Sequence, residues 1–506
     1  MRVAVADIGT NSCHLLIAEA HGGSYRVLDA LKERTRLGEC LDADLNITPE
    51  GEARLLAALS QFRALAQAAG VGEVRAYATS ALREAPNGLA VAERMRQACG
   101  IYPAIISGER EAQLTYLGAA HSVEFGPDNL LIDLGGGSLE LARGGPESAS
   151  SVISLPLGSV RLHLSHLQME PPGPRTVRAL QDFVRRAIEP HLEVFAAGPG
   201  TRVFGSSGTF EAVGAAIAAR QGLGGGEDEI GGFSFEVAAL DDLVRNLQKL
   251  TPAGRIKAGI DPRRADIIVA GAAILDATLR AVGATRATVS GGALREGMLA
   301  EELAAQQQWE VGLSARQRSA AELAERFGVS LPHARQVTAL SQDLLSRLTR
   351  RGERFPEDAH SLLSAAAYLH ECGQIVAQSS HNKHSAYLIR HGGLRGFDPR
   401  QLDIIAQVAR YHRGSAPKSS HTEFQALNTA DREAVCKLAA VLRVADGLDR
   451  THAGQSRVVD LHRAAPHQHG GGWILTVDGA TALDLAGAQE KGDMWGGVFG
   501  VLRVVG

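Results

Sequence analysis

A short pattern occurs twice in this chain. An apolar run ends in aspartate, a glycine-bearing turn closes on a serine, and a second apolar run follows. The first copy is Val3-Ala4-Val5-Ala6-Asp7-Ile8-Gly9-Thr10-Asn11-Ser12; the second is Leu130-Leu131-Ile132-Asp133-Leu134-Gly135-Gly136-Gly137-Ser138-Leu139-Glu140. Each reads as strand, tight turn, strand. One such turn is an ordinary hairpin. Two matching copies at lobe-sized separation predict two similar subdomains facing each other. Glycines let backbone approach a ligand closely, with N–H groups turned to an anion. An aspartate just before the turn can hold a hard cation against that anion.

Around the first copy, helical periods (49–70, 88–99 and from Ser107-Gly108 to about 120) alternate with strand signals (74–78 and 103–106), which is α/β texture. The second copy is followed by helices at about 174–195 and by two more strand–glycine turns running into helices, at Gly205-Ser206-Ser207-Gly208-Thr209 and at Ser290-Gly291-Gly292. There a helix N-terminus can face phosphate. The glycine-rich, acidic stretch 221–233 reads as an exposed loop. Near residue 310 strand signals vanish. Helices are expected at 319–327, 332–350, 360–378, 383–391, 400–412 and 432–446, and alternation returns from about 456. The predicted organisation is an α/β lobe over 1–124, a second over 125–308, an all-α domain over 309–455 and a small α+β domain over 456–506.

At 506 residues the chain exceeds a single core. A net charge of −4 advertises no global attraction to nucleic acid, so a polyanionic ligand needs a local basic surface. Cys13, Cys40, Cys99, Cys372 and Cys436 are scattered and form no C-x-x-C, which argues against a disulfide framework and a cysteine zinc site. With no signal-peptide pattern at the start and no membrane-length apolar run, the expected setting is a reducing cytoplasm without membrane partners.

In the twin turns, backbone amides with Asn11, Ser12 and Ser138 offer donors to phosphate. Asp133 is placed for Mg2+, Glu140 can join it through water, and Asp7 can hold a second ligand position or orient water. Arg83 follows the strand at 74–78, near a helix start; it is either a bidentate phosphate ligand or an exposed helix arginine. Ser107 is a plausible N-cap, with Glu109 at the positive end of the helix; Glu111 is either a capping-box residue, were Gly108 the cap instead, or a general base that deprotonates water for attack on phosphorus.

Taken together, Gly9-Thr10-Asn11-Ser12, Ala78-Thr79-Ser80-Ala81-Leu82-Arg83, Ile106-Ser107-Gly108-Glu109-Arg110-Glu111-Ala112, the stretch 132–140, Leu155-Pro156-Leu157-Gly158-Ser159-Val160-Arg161 and Gly205-Ser206-Ser207-Gly208-Thr209 resemble the exopolyphosphatase/guanosine pentaphosphatase (Ppx/GppA) family. The two turns resemble the phosphate loops of the wider actin-like, ribonuclease H-like superfamily. The resemblance covers about 1–305, and the helical region resembles the C-terminal half of the family's long members. It implies two actin-like lobes on a phosphate cleft, an HD-like helical domain, and hydrolysis of a terminal phosphoanhydride with Mg2+ or another hard divalent ion such as Mn2+. The implied substrate is inorganic polyphosphate, with guanosine pentaphosphate (pppGpp) as the alternative, and the implied assembly is a homodimer. Carried over by motif, Glu111 is the catalytic glutamate, assisted by Glu140. Asp133 and Glu140 form the metal and water site, and Gly9, Thr10, Asn11, Ser12, Arg83, Gly135, Gly136, Gly137, Ser138 and Gly208 bind phosphate. Arg110, Gln113 and Leu139 stand where many members carry Glu, Arg and Thr.

In the helical region His333, His370-Glu371 and Asp446 echo a His…His-Asp…Asp metal phosphohydrolase. The central acid is a glutamate, one methylene longer, and metal geometry is sensitive on that scale, so the expectation is an HD-like scaffold without a working metal centre. Between His381 and His421, Lys383, Arg390, Arg395, Arg400, Arg410, Arg413 and Lys418 stand against Asp398 and Asp403, an excess of about five positive charges. Such a surface, with Lys383, Arg390, Arg410, Arg413 and Lys418 as its main guides, could lead a polyanion toward the glycine-loop site.

Overall fold

The computed structural model describes residues 2–21, 24–223, 230–305, 314–464 and 472–506. It divides into two compact units, Met1–Ala315 and Arg316–Gly506. Residues 224–229 of the loop expected at 221–233 and the boundary expected at 308/309 lie outside the described residues.

The first unit repeats one topology. Strands β1 (Arg2–Ile8), β2 (Cys13–His21), β3 (Ser24–Glu33), β4 (Val74–Ala78) and β5 (Pro103–Ile105) form a sheet in the order β3-β2-β1-β4-β5. Strands β6 (Asn129–Leu134), β7 (Leu139–Gly144), β8 (Ala149–Leu155), β9 (Arg202–Ser206), β10 (Ser234–Glu236) and β11 (Arg286–Val289) form a second, ordered β10-β11-β9-β6-β7-β8. Read from β8, the second sheet reproduces the first and adds β10 at its edge. β1 and β6 are central, pairing antiparallel with the next strand and parallel with β4 or β9.

Both central strands are covered on both faces, and their alternation assigns the residues. In β1, Ala4, Ala6 and Ile8 enter a core with Leu55, Leu59 and Phe62 of the helix Pro49–Ala68. Val3 and Val5 face Leu294, Met298 and Leu299 of the helix Leu294–Ala305. In β6, Leu130, Ile132 and Leu134 face the large core that includes Phe210 and Ile274. Leu131 faces Tyr116 and Ala119 of the helix Gly108–Ala120. Each fully buried Leu or Ile contributes about 1.5–3 kcal/mol. Asp7 and Asp133 share the parity of Val5 and Leu131, so both point to the side of these two crossing helices.

Those helices interlock the lobes. Gly108–Ala120, which follows the first sheet in sequence, packs on β7 and β8 of the second. Leu294–Ala305, which follows the second sheet, packs on β1 and β2 of the first. They cross each other where Gly118 and Gly297 leave no room for a side chain: a Cβ at either position would lie 2.0 Å or less from Ala293 or Leu114 carbonyl oxygen. A division at 124/125 does not convey this exchange, because it depends on contacts remote in sequence.

The second unit is a helical array joined to the three-stranded sheet of β12 (Arg457–Arg463), β13 (Trp473–Asp478) and β14 (Leu502–Val505), ordered β12-β13-β14. Trp473, Leu475, Trp495 and Leu502 share one core with Leu344, Leu362 and Val441. The boundary expected near 455 is therefore spanned by common packing. The helix expected over 360–378 ends at Leu369, and a short 3-10 turn, Cys372–Ile375, follows. Gly373 packs so tightly on the helix His381–His391 that a Cβ would lie 2.2 Å from His381 O, and its amide donates to Ser385 Oγ at 2.9 Å. No helix among the described residues is long and apolar enough to cross a membrane. The five cysteines are free thiols.

Candidate active site

The twin turns are built alike. Gly9 N donates to Ser12 O at 3.1 Å, and Gly135 N donates to Ser138 O at 3.0 Å. The carbonyls of both are tied away from the space between them. Thr10 O and Asn11 O accept from Gly38 N and Arg36 N, both at 2.9 Å. Gly135 O, Gly136 O and Gly137 O accept from amides of residues 158–161, where the helix Ser159–His166 begins. With its carbonyls engaged, each turn keeps its amide face for an anion. Gly158, in the motif quoted from 155 to 161, has a structural reason: a Cβ there would lie 2.2–2.3 Å from backbone atoms of Gly136 and Gly137.

The turns face each other. A Cβ on Gly136 would sit 3.2 Å from Thr10 Cβ and 3.5 Å from Asn11 N; one on Gly137 would sit 2.1 Å from Ser80 Oγ and 2.7 Å from Thr10 Oγ1. Glu84 and Arg161 clip the two lobes beside them. Ser80 Oγ donates to Glu84 at 2.8 Å, Arg161 pairs with the same carboxylate, and Arg161 Nε donates to Gly137 O at 2.8 Å. Gly208 begins the helix Gly208–Arg220 after Ser207, whose φ of 91° is strained for a residue with a side chain. A Cβ on Gly208 would meet the Arg264 guanidinium at 1.9 Å.

Hairpin register pairs Asp133 with Glu140, and in the first copy Asp7 with His14. Paired residues share a face, so Glu140 joins Asp133 toward the helix Gly108–Ala120. That helix is capped by Ser107, whose hydroxyl accepts from Arg110 N at 3.1 Å. Glu111 is thus outside the cap and turns inward, 8 % exposed, where its carboxylate meets Arg83 Nη1 at 2.7 Å. Arg83 also donates to Ile106 O at 3.2 Å. It is a cleft residue rather than an exposed helix arginine.

The result is a carboxylate cluster: Glu111 and Glu140, buried, with Asp7 and Asp133, half-buried. Burial pushes Asp7 and Asp133 up to about 7, and the charge of Glu111 adds to both. Burial, then Glu111 and Asp133, holds Glu140 well above the usual carboxylate range. Burial raises Glu111 as well, partly offset by Arg83. Asp7 Oδ1 and Glu140 Oε2 are buried without a hydrogen-bond partner, and Ser154 Oγ donates to Glu140 Oε1 at 2.7 Å. The donors are oxygens, carry excess negative charge and include orphaned atoms. Such a set suits a hard divalent cation, Mg2+ or Mn2+.

Sequence reasoning missed several residues here. His14, the register equivalent of Glu140, holds Ser12 Oγ through Nε2 at 2.7 Å. Burial, with the charges of Arg295, Lys32 and Arg264, keeps its imidazole neutral, well below its ordinary pKa. Arg34 is likewise lowered, by burial and then by Arg36, with Arg264 adding to it. Arg34 and Arg36 reach Asp266 at 3.8 and 3.4 Å. The run Lys32-Glu33-Arg34-Thr35-Arg36 was the visible signal. In the second unit, Arg390, Arg395, Arg400 and Arg410 pair with Asp403, Glu322, Asp431 and Glu423. Arg413 bonds His381 at 3.2 Å. The surplus counted along 381–421, Lys383 and Lys418 included, is therefore smaller in three dimensions.

The pattern of the Ppx/GppA phosphatase family matches residues 16–306, and that of the family's domain III matches residues 315–481. The chain is 33% identical over 307 residues to exopolyphosphatase 1 of Mycobacterium bovis, a match covering 60% of this chain and 88% of that one. It is 30% identical over 414 residues to the guanosine-5'-triphosphate,3'-diphosphate pyrophosphatase of Photobacterium profundum, covering 81% and 80%. Among solved structures, an exopolyphosphatase from Cytophaga hutchinsonii superposes with a TM-score of 0.57 at 26% identity, covering 62% of this chain and all of that one. The Aquifex aeolicus member of the Ppx/GppA family gives 0.53 at 25%, covering 60% and 98%. The twin turns, the carboxylates between them and these matches lead to one conclusion: the chain belongs to the Ppx/GppA phosphatase family, hydrolases of phosphoanhydride bonds.

Proposed function

We propose that the chain is an exopolyphosphatase, releasing orthophosphate from the end of inorganic polyphosphate. The observation that carries the choice of substrate is the cationic group at the cleft. Lys32, Arg264 and Arg295 bear on His14, and Arg36 and Arg264 bear on Arg34. Several cations gathered here, with Asp266 and Glu39 offsetting part of their charge, favour a ligand with many negative charges in line.

The amide faces of the two turns, with Thr10, Asn11, Ser12 and Ser138, seat the terminal phosphates, and Arg83 adds charge-assisted bonds. Gly208 leaves room for the Arg264 guanidinium beside the start of its helix. Glu111, its pKa raised by burial, takes the proton of a water positioned for attack on the terminal phosphorus. The new P–O bond forms as the bridging P–O bond breaks, and orthophosphate leaves. Asp133 and Glu140, with Asp7 opposite, would hold Mg2+ or Mn2+, which when bound supplies charge neutralisation for the phosphoryl oxygens. Positioning and electrostatics suffice, with no covalent intermediate.

The second reading is pppGpp 5′-phosphohydrolase. The match that favours it spans both units, whereas the exopolyphosphatase match covers 60% of the chain. Phosphate release measured side by side on long-chain polyphosphate and pppGpp decides between them. A higher kcat/KM on polyphosphate supports the proposal, and a preference for the nucleotide replaces it.

A further inference from the structure

Three potential ligand atoms meet in the interior of the second unit. His370 is fully buried, His333 is 2 % exposed and Asp446 7 %. His370 Nδ1 lies 2.7 Å from Ala367 O, and His333 Nδ1 lies 2.8 Å from Asp449 Oδ2. Both partners only accept, so each ring carries a proton on Nδ1 and turns its Nε2 the other way. Neither Nε2 has a hydrogen-bond partner. Both aim at one oxygen, Asp446 Oδ1, at 3.6 Å from His333 and 3.7 Å from His370. The second oxygen, Oδ2, is taken by Lys491.

Three such atoms facing one another in a buried space call for a positive charge between them, a proton on an imidazole or a metal ion. The three atoms lie within 4.8 Å of one another. Ligands around a tetrahedral zinc with bonds of about 2.0–2.1 Å stand roughly 3.3 Å apart, so the two N···O separations close with a shift of a few tenths of an ångström. The supporting contacts are those of a built site. Asp449 orients His333 and is itself held by Gly454 N at 2.8 Å, and a backbone carbonyl orients His370. His412 stays outside the set, since its Nε2 meets His381 Nε2 at 3.2 Å. Glu371, whose extra methylene argued against a metal centre in the sequence, is not needed: its carboxylate lies 4.0 Å from His333 Nε2, at the rim. His452 stacks on His333 at 3.9 Å, is exposed, and with His333 and Glu371 makes a second, more open group of possible ligands beside the first.

We propose that His333 Nε2, His370 Nε2 and Asp446 Oδ1 bind one divalent transition-metal ion of the borderline class, such as Zn2+ or Fe2+, separate from the all-oxygen cluster of the first unit. Two imidazoles and one carboxylate oxygen select such ions over Mg2+, which demands oxygen ligands. Three protein ligands leave a fourth position for water or a ligand oxygen, with Glu371 beside it.

The test uses the full chain, stripped by chelator and loaded separately with Zn2+ and Co2+ in excess Mg2+. Metal content after gel filtration and the cobalt d–d spectrum are read, with thermal melting as the check on folding. The wild type should retain one equivalent of Zn2+ and show a low-symmetry cobalt band. His370→Gln and Asp446→Asn should lose both. Asp449→Asn should weaken retention about 10–100-fold, while Asp133→Asn leaves it unchanged. A wild type that retains no Zn2+ and gives only the aqueous cobalt spectrum overturns the proposal, whether or not the variants fold. So does retention unchanged in a folded His370→Gln protein.

Discussion

Arg83 Nη1 and Glu111 Oε2 are 2.7 Å apart, so the arginine assigned to phosphate and the glutamate assigned to water hold each other inside the cleft. Arg83 comes from the helix Ser80–Glu84 and Glu111 from a helix packed on the other lobe's sheet. Their contact ties the charge of the base to the position of the phosphate ligand.

Removing that partner has a signed consequence. Arg83 holds the Glu111 carboxyl below where burial alone would place it. In Arg83→Gln the acidic limb of the kcat–pH profile should move to higher pH, and KM for the phosphate substrate should rise. A profile with an unmoved acidic limb would separate Glu111 from the proton-transfer step.

The carboxylate cluster makes stability depend on pH and on divalent ions. Asp7 and Asp133 titrate near 7 when folded, against 3.8 ordinarily. Between those values the folded state binds more protons than the unfolded chain, so their contribution to stability falls as pH rises from about 4 to 7. Without divalent ions the first unit should melt lower at pH 8 than at pH 5. Mg2+ should raise the midpoint more at pH 8, where the carboxylates are ionised. Equal Mg2+ shifts at both values would argue against binding by this cluster.

Gly158 offers a test of the glycine loop that touches no proposed ligand. The Cβ of Gly158→Ala would meet Gly136 and Gly137 backbone at 2.2–2.3 Å, and backbone yields poorly. The substitution should cost about 1–3 kcal/mol of stability and raise KM for the phosphate substrate. Urea unfolding and steady-state kinetics measure the two effects. A neutral result in both would show that the loop geometry tolerates displacement.

Much of the first unit could be read from the chain because its information is local. Asp7 and Asp133, their turns and the alternation of Val3–Val5 against Ala4–Ala6 lie within a few residues of one another, and a period of two assigns their faces. What depended on distant contacts was hidden. The exchange of crossing helices at Gly118 and Gly297 brings Glu111 beside Glu140, and no periodicity announces it. Two caps were open in the sequence, Ser107 and Gly108, and only the second made Glu111 a capping-box residue; Ser107 takes the place. Counting charges along 381–421 overstated the basic surface, since the partners of Arg395 and Arg400 are Glu322 and Asp431, outside the counted stretch. The helix over 360–378 was drawn too long because the packing of Gly373 on His381 is tertiary.

The most direct test of the account is Glu111→Gln, which keeps the side chain's size and removes its basicity. Rapid-quench phosphate release with Mg2+ and saturating polyphosphate should fall by about 10²–10⁴-fold, with binding of the same substrate retained and the melting temperature not lowered. Release at the wild-type rate would contradict the assignment of Glu111 as the base, and with it the mechanism proposed for this cleft.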